Sequence, residues 1–281
     1  MEQKVLILGA RGMLGHDLVE VFSDYDLTAW DQSDLDITNE QLVMEKITEL
    51  SPDIIINAAA YTDVDKAETN QEAAMAVNAD AVGYLAKAAN EIEAVFVHFS
   101  TEYIFDGKDS NGYNEDARTN PVNVYGESKA KGEKLLQANH NKYYIIRSSW
   151  LYGKALQMGK ERGINFVETM LKLAADKDEL NVVNDQFGKP TFTKDLSIAA
   201  RKLVESKKPF GIYHGVNEGV CTWHDFAEKI FDIKNIEILV NPISSDEYPS
   251  KVPRPKNTIL HNNKMDKLRD WEEALEEYLT T

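Results

Sequence analysis

The sequence predicts an α/β chain, a doubly wound parallel sheet followed by a smaller C-terminal lobe. Three observations carry that prediction. Short, unbroken apolar runs such as Val5, Leu6, Ile7 and Leu8 have the signature of strands buried on both faces of a parallel sheet. These runs alternate with amphipathic segments over residues 1–153, and short connections between them impose right-handed crossovers. The first run passes straight into Gly9, Gly12 and Gly15 and then an amphipathic segment. In that order of strand, turn and helix, a dinucleotide's pyrophosphate meets free helix amides. The fold class is therefore Rossmann-type.

In chain order, Gly9, Arg11, Gly12, Met13, Leu14 and Gly15 are the expected cofactor turn, with a helix over 16–22. A strand over 27–31 ends on Asp31, about 20 residues past the glycines, where a carboxylate accepts hydrogen bonds from an adenosine ribose. That position favours NADH. Arg11 carries the charge and reach for a 2′-phosphate and keeps NADPH open, and the plain alternative for Asp31 is a solvated turn residue. Residues 34–37, including Asp36 and Ile37, can lie along the adenine. Asn39 caps a helix ending at residue 50. After Pro52 a strand over 53–57 runs into Ala58, Ala59 and Ala60, which leave room for a flat ligand at the carboxyl edge of the sheet.

A helix is expected over 71–91, then a strand over 94–100 with Thr101 after it, a polar loop over 106–120 and a helix carrying Tyr125 and Lys129. Residues 143–152 read as one further strand and 153–163 as a mobile segment. Smaller, mixed elements follow: helices over 166–176 and 194–206, strands over 180–183 and 212–214, a helix starting at Thr222 and a terminal helix over 270–279. Residues 1–153 are expected to bind the dinucleotide. Residues 154–281 are expected to bind mainly substrate, with a segment near 211–217 returning to the main sheet.

Composition narrows the partners. A chain of 281 residues can bury roughly three quarters of its unfolded surface. The formal charge of −16 argues against a duplex-binding face, which needs lysine and arginine to neutralise phosphates. Cys221 is the only cysteine, so an intrachain disulfide and a cysteine-based metal site are excluded and a reducing compartment fits. No run approaches the roughly 20 apolar residues of a membrane span. A cytoplasmic protein without nucleic-acid or membrane partners is expected. His98, His214, His224 and His261 show no ligand spacing, so no metal is expected either.

Tyr125 and Lys129 lie one helical turn apart on one face, and no other tyrosine has a lysine four residues on. A free phenol titrates near 10, and an ammonium beside it, helped by the positive charge of an oxidised nicotinamide, lowers that value toward the range of general acid–base work. Thr101 would hold a substrate carbonyl oxygen, and Lys129 could also reach the nicotinamide ribose. The plain alternative is a surface Tyr–Lys pair.

Further motifs join this core: Asn57 with Ala58 to Ala60, residues 64–68, Ser100 to Phe105, Asn123 with Tyr125 and Gly126, and Arg147 with Trp150. Asp185 to Gly188 with Pro190 and Thr191, Thr222 to Asp225, and Arg254 with Pro255 complete the set. Over nearly its whole length the chain resembles the extended short-chain dehydrogenase/reductases, and more narrowly the dTDP-4-dehydrorhamnose reductase family. The resemblance implies NAD(P)H-dependent reduction of the 4-keto group of dTDP-4-dehydro-6-deoxy-L-mannose to dTDP-L-rhamnose, a precursor of cell-surface polysaccharide. It implies Thr101, Tyr125 and Lys129 as catalytic residues, Glu102, Tyr103, Trp150 and Asn165 near the sugar, and Arg254 near the diphosphate. The plain alternatives are a core aromatic for Trp150, a helix cap for Asn165 and a solvated charge for Arg254. Some members use a glutamate after the glycine turn in a magnesium-linked dimer. His16 and Asp17 stand there, which argues against metal-dependent dimerisation and leaves monomer or homodimer open. Glu102 replaces the aspartate that relatives carry after the threonine.

Two other activities are weighed against this. Epimerases share the superfamily, and dehydratases place a pair of acids after the threonine, whereas here Glu102 is followed by Tyr103. A catalytically silent regulatory subunit, like the one that partners methionine adenosyltransferase, is opposed by retention of Tyr125 and Lys129.

Overall fold

The computed structural model describes residues 3–157, 163–206, 208–250 and 252–281. The apolar runs become buried strands. β1 (Lys4–Leu8) turns into α1 (Met13–Val21), and β2 (Asp26–Trp30), α2 (Glu40–Leu50) and β3 (Ile54–Asn57) follow. Asn39 caps α2 by accepting the Leu42 amide hydrogen, as its position predicts. Residues 64–69 are helical, and the helix expected over 71–91 is a continuous run with a wider turn inside it. α3 (Val64–Thr69) and α4 (Gln71–Met75) precede a π-helical turn, Ala76–Asp80, which continues into α5 (Ala81–Glu91). Asn78 sits in that wide turn. Its Oδ1 accepts the Tyr61 amide, and its Nδ2 donates to the Tyr61 carbonyl and the Ser128 hydroxyl, bonds that tie the helix to the loop after β3.

β4 (Val95–Thr101) ends in a 3-10 turn, Glu102–Ile104, and the polar loop leads to α6 (Val124–Asn139) and β5 (Tyr143–Ser148). The single strand expected over 143–152 is corrected here. β5 stops at Ser148 because Trp150 adopts a left-handed φ of 46°, and β6 (Leu151–Tyr152) pairs away from the main sheet. Residues 158–162 of the segment expected to be mobile lie outside the described residues. Then come α7 (Phe166–Asp176), β7 (Glu179–Val183), β8 (Phe187–Gly188), β9 (Thr191–Phe192), α8 (Thr193–Glu205) and β10 (Gly211–His214). β11 (Cys221–Thr222), α9 (Trp223–Lys234), β12 (Leu239–Ile243) and α10 (Trp271–Thr280) close the chain.

The main sheet has the order β10-β5-β4-β3-β1-β2, and every pair in it is parallel. Alternate residues of a strand face opposite sides, so β1 feeds two cores. Val5 and Ile7 pack with Leu18 and Phe22 of α1 and Leu196 and Leu203 of α8. Leu6 and Leu8 pack with Val43 and Ile47 of α2, Leu85 of α5 and Leu136 of α6. Each fully buried Val, Leu or Ile contributes about 1.5–3 kcal/mol. A third cluster, with Tyr152, Val167, Phe226, Ile230 and Leu275, binds α7, α9 and α10 together. Among the described residues no helix is long and apolar enough to cross a membrane.

Candidate active site

The chain reverses its direction of winding between β1 and β3, and ligands of such sheets lie in the crevice outside the carboxyl ends at that point. The glycine turn forms one side of it. Gly9 has a φ of 74°, and a Cβ there would stand 2.7 Å from the Ala59 nitrogen; a Cβ on Gly15 would stand 2.0 Å from the Gly9 oxygen. α1 starts at Met13, earlier than the sequence indicated, and takes Gly15 into its first turn. No side chain caps α1, so its first amides are open to an anion. Met13 and Leu14 are buried behind them. Asp31 accepts the Arg11 amide at 3.0 Å through Oδ2 and the Gln32 amide at 2.8 Å through Oδ1, tying β2 to the turn. Asp36 accepts from Thr38, and Ile37 packs into the core beside Leu35. Ala58, Ala59 and Ala60 remain half-buried at the opposite edge. An uncapped helix behind a glycine cradle and a floor of small residues fits a dinucleotide.

The candidate catalytic groups gather where β4 ends. Asn123 caps α6 by accepting the Gly126 amide, and Gly126 lets the helix press on the 3-10 turn, since a Cβ there would stand 2.2 Å from the Tyr103 oxygen. Tyr125 then meets Tyr103 edge to face at 5.5 Å. The Thr101 hydroxyl donates to Glu102 at 2.7 Å. Burial pushes the Glu102 carboxyl up to about 7 against the opposing bonds from Thr101 and the Trp150 amide.

By the protein's own groups alone, Tyr125 is not acidified in this geometry. Burial raises its phenol above the ordinary value, the Glu102 charge adds to that, and a bond with Thr101 opposes it. Lys129 points elsewhere. Its Nζ donates to the Phe99 carbonyl at 2.6 Å and lies 3.4 Å from His98 Nε2, and burial pulls the amine down to about 8 while Glu133 opposes the shift. Helical spacing puts the two residues on one face, where Lys129 is buried and Tyr125 half-buried, and burial drives each group toward its neutral form.

The walls come from later segments. Trp150 stacks on Trp223 at 3.6 Å, and Trp223 Nε1 donates to Gln186. Arg254 donates to the Tyr103 hydroxyl at 3.2 Å and to Asp65 at 2.9 Å. Asn165 lies beside Met13 of the glycine turn. It caps α7 through Glu168 and donates to the Gly153 carbonyl and the Tyr278 hydroxyl. Sequence reasoning met Asp65, Arg147 and Trp223 only as motif members and gave neither them nor His98 a site role, and it missed Glu133, which pairs with Arg147 at 2.8 and 3.0 Å. Glu133 was detectable, lying one turn beyond Lys129.

Among the described residues, two groups gather one histidine and two acids within 4.8 Å, His16 with Asp17 and Glu20, and His224 with Asp225 and Glu228. The second corrects the view that His224 lacks ligand spacing, because Glu228 is one helical turn on. Neither suits magnesium, which takes oxygen ligands in octahedral geometry. Asp17 moreover accepts the Thr193 hydroxyl.

A sheet wound this way, with its glycine turn and tyrosine helix meeting at one carboxyl edge, is that of the Rossmann-fold dehydrogenases and reductases. More narrowly, the chain belongs to the family described as the RmlD substrate binding domain, whose model matches residues 3–281. It is 41% identical to the dTDP-4-dehydrorhamnose reductase of Aggregatibacter actinomycetemcomitans, across 97% of each chain. It is 39% identical to the spore coat polysaccharide biosynthesis protein SpsK of Bacillus subtilis (strain 168), across 98% of this chain and 96% of that one. The crystal structure of dTDP-4-dehydrorhamnose reductase from Bacillus anthracis strain Ames in complex with NADP is similar to it with a TM-score of 0.93, at 40% identity and 99% coverage of both chains.

Proposed function

We propose that the protein reduces the 4-keto group of dTDP-4-dehydro-6-deoxy-L-mannose with NADPH or NADH, giving dTDP-L-rhamnose for polysaccharide synthesis in the cytoplasm. The observation that carries this is near-full-length similarity to reductases of that name. The NADP held by the Bacillus anthracis relative, with Arg11 in the glycine turn here, supports NADPH as one cofactor. The nicotinamide supplies the hydride when bound.

This chain's residues supply the rest. The Thr101 hydroxyl turns its one hydrogen from Glu102 to the ketone oxygen and holds it. Tyr125 is the proton donor, and its raised affinity for the proton keeps it loaded at neutral pH until alkoxide character develops at that oxygen. Lys129 lies along the same helix face, where its amine can serve the cofactor's ribose. Tyr103 and Trp150 flank the sugar, and Arg254, whose Nε has no partner among the described residues, meets the diphosphate. Residues 154–281 hold mainly the nucleotide sugar against the dinucleotide-binding part, residues 1–153. A dehydratase would need a second acid beside Glu102, and the residue there is Tyr103, engaged by Arg254.

The test is oxidation of each reduced cofactor by purified protein given the 4-keto sugar nucleotide. Tyr125→Phe is expected to lower kcat by about 10²–10⁴-fold while cofactor still binds. Undiminished turnover in that variant would falsify the mechanism. No turnover by the wild type despite bound cofactor would favour the regulatory-subunit alternative.

A further inference from the structure

His98 is wholly buried on β4, and the mechanism above leaves it without a task. It stands between two parts of the site. Asn57 Nδ2 lies 3.2 Å from its Nδ1, and Lys129 Nζ lies 3.4 Å from its Nε2. The orientation of Asn57 is settled independently, because its Oδ1 accepts the Ala59 amide hydrogen at 3.1 Å. The nitrogen end of that amide therefore faces the ring, and an NH₂ group only donates. His98 Nδ1 is thus an acceptor, and a neutral imidazole then carries its one hydrogen on Nε2. Burial, with the Lys129 charge adding to it, disfavours the imidazolium.

An Nε2–H facing Lys129 has a chemical consequence. Nζ already donates to the Phe99 carbonyl. A ring N–H makes a hydrogen bond to Nζ only where the amine has a lone pair, so the contact attracts an uncharged amine and repels an ammonium.

We propose that His98 is the positioning residue of Lys129: held by Asn57 in its Nε2–H tautomer, the ring steadies the amine against the Phe99 carbonyl and favours its uncharged form. Asn57 extends the link to the edge at Ala58 and Ala59, so the lysine and the cofactor-facing loop share one buried chain of contacts. The surrounding charged and titratable groups are few. Glu133 on α6 favours the ammonium but is paired with Arg147 of β5; Glu102 and Tyr103 of the 3-10 turn face Tyr125; Glu68 of α3 takes the Val124 amide. The π-helical turn presents the uncharged Asn78. The inference rests on Lys129 being a catalytic group.

The tautomer is tested in the unmodified protein by nitrogen NMR of labelled histidine. A protonated Nε2 with an acceptor Nδ1 at His98 is expected, and the reverse would overturn the proposal. Turnover tests the role. His98→Asn keeps an amide where Nδ1 stands and removes the partner of Lys129, whereas His98→Gln reaches the Nε2 position. His98→Asn is expected to lower kcat roughly tenfold to a hundredfold. KM for the sugar nucleotide is expected to stay within about twofold, while the limb of the pH profile that reports Lys129 moves upward. His98→Gln is expected to restore part of kcat. Wild-type kcat with an unmoved profile in His98→Asn, or a Gln variant no better than Asn, would overturn the idea. Lys129→Met run alongside separates the two levels. Full turnover in Lys129→Met removes the catalytic assignment itself, whereas an inactive Lys129→Met beside a normal His98→Asn removes only the role of His98.

Discussion

Lys129, Glu102 and Thr101 are 2%, 3% and 5% exposed and take their partners from the core of the sheet, whereas Arg254 pairs with an exposed aspartate and Trp150 leans on a second indole. The contrast separates two tasks. At the reacting floor, desolvation sets protonation states, and buried contacts from β4, β5 and α6 hold each group in place. At the wall, stacking and a half-wet ion pair hold side chains that can shift at small cost. On the proposed reading, such a site is rigid where the proton would move and adjustable where the substrate would be gripped.

The largest effect should come from breaking the floor. Glu133→Gln leaves Arg147 buried without its counter-charge and is expected to cost about 3–5 kcal/mol in urea denaturation. A cost below about 1 kcal/mol, the range of an exposed pair, would erase the distinction between floor and wall.

A smaller effect is carried by pH. The native carboxyl of Glu102 titrates about 7 against an ordinary 4.5, so the native state keeps a proton that the unfolded chain releases between those values. Stability therefore falls as pH rises from 4.5 through 7, by an amount on the order of 3 kcal/mol. Glu102→Gln is expected to flatten that decline. Lys129 runs the other way. Its native value of about 8 lies below the ordinary 10.5, so stability rises with pH across that window, and Lys129→Met should remove the rise. Denaturation curves at several pH values decide both.

The smallest stability effect belongs to the wall. Asp65→Ala is expected to change stability by only about 0.2–1 kcal/mol, because its pair with Arg254 is half in water. Arg254→Ala should instead raise KM for the sugar nucleotide roughly tenfold or more, with a lesser change in kcat. A kcat collapse with unchanged KM would move Arg254 from the wall to the floor.

Much of the floor was legible because its signals are local. Buried runs marked the strands, Asn39 and Thr222 marked helix starts, and the expected helix over 166–176 was found as Phe166–Asp176. The wall was less legible. The pairs of β6 with β9, β8 with β11 and β7 with β12 join residues roughly 30–60 positions apart, and two-residue strands carry no periodicity to recognise. The break after Ser148 depends on Trp150 finding Trp223, and the π-helical turn depends on Asn78 finding Tyr61 and Ser128.

By itself, then, the sequence determined which residues are neighbours along a strand or a helical turn. That was enough for the parallel sheet, the glycine turn and the one-turn spacing of Tyr125 and Lys129. Only the tertiary structure decided what that spacing means. Protonation depends on how much water is removed and which distant dipoles remain, and His98, Phe99, Glu102 and Glu133 reach the two residues from two strand positions, the turn after β4 and a second helical turn. A spacing that promised an acidic tyrosine became a proton-loaded phenol and a lysine drawn toward its neutral form.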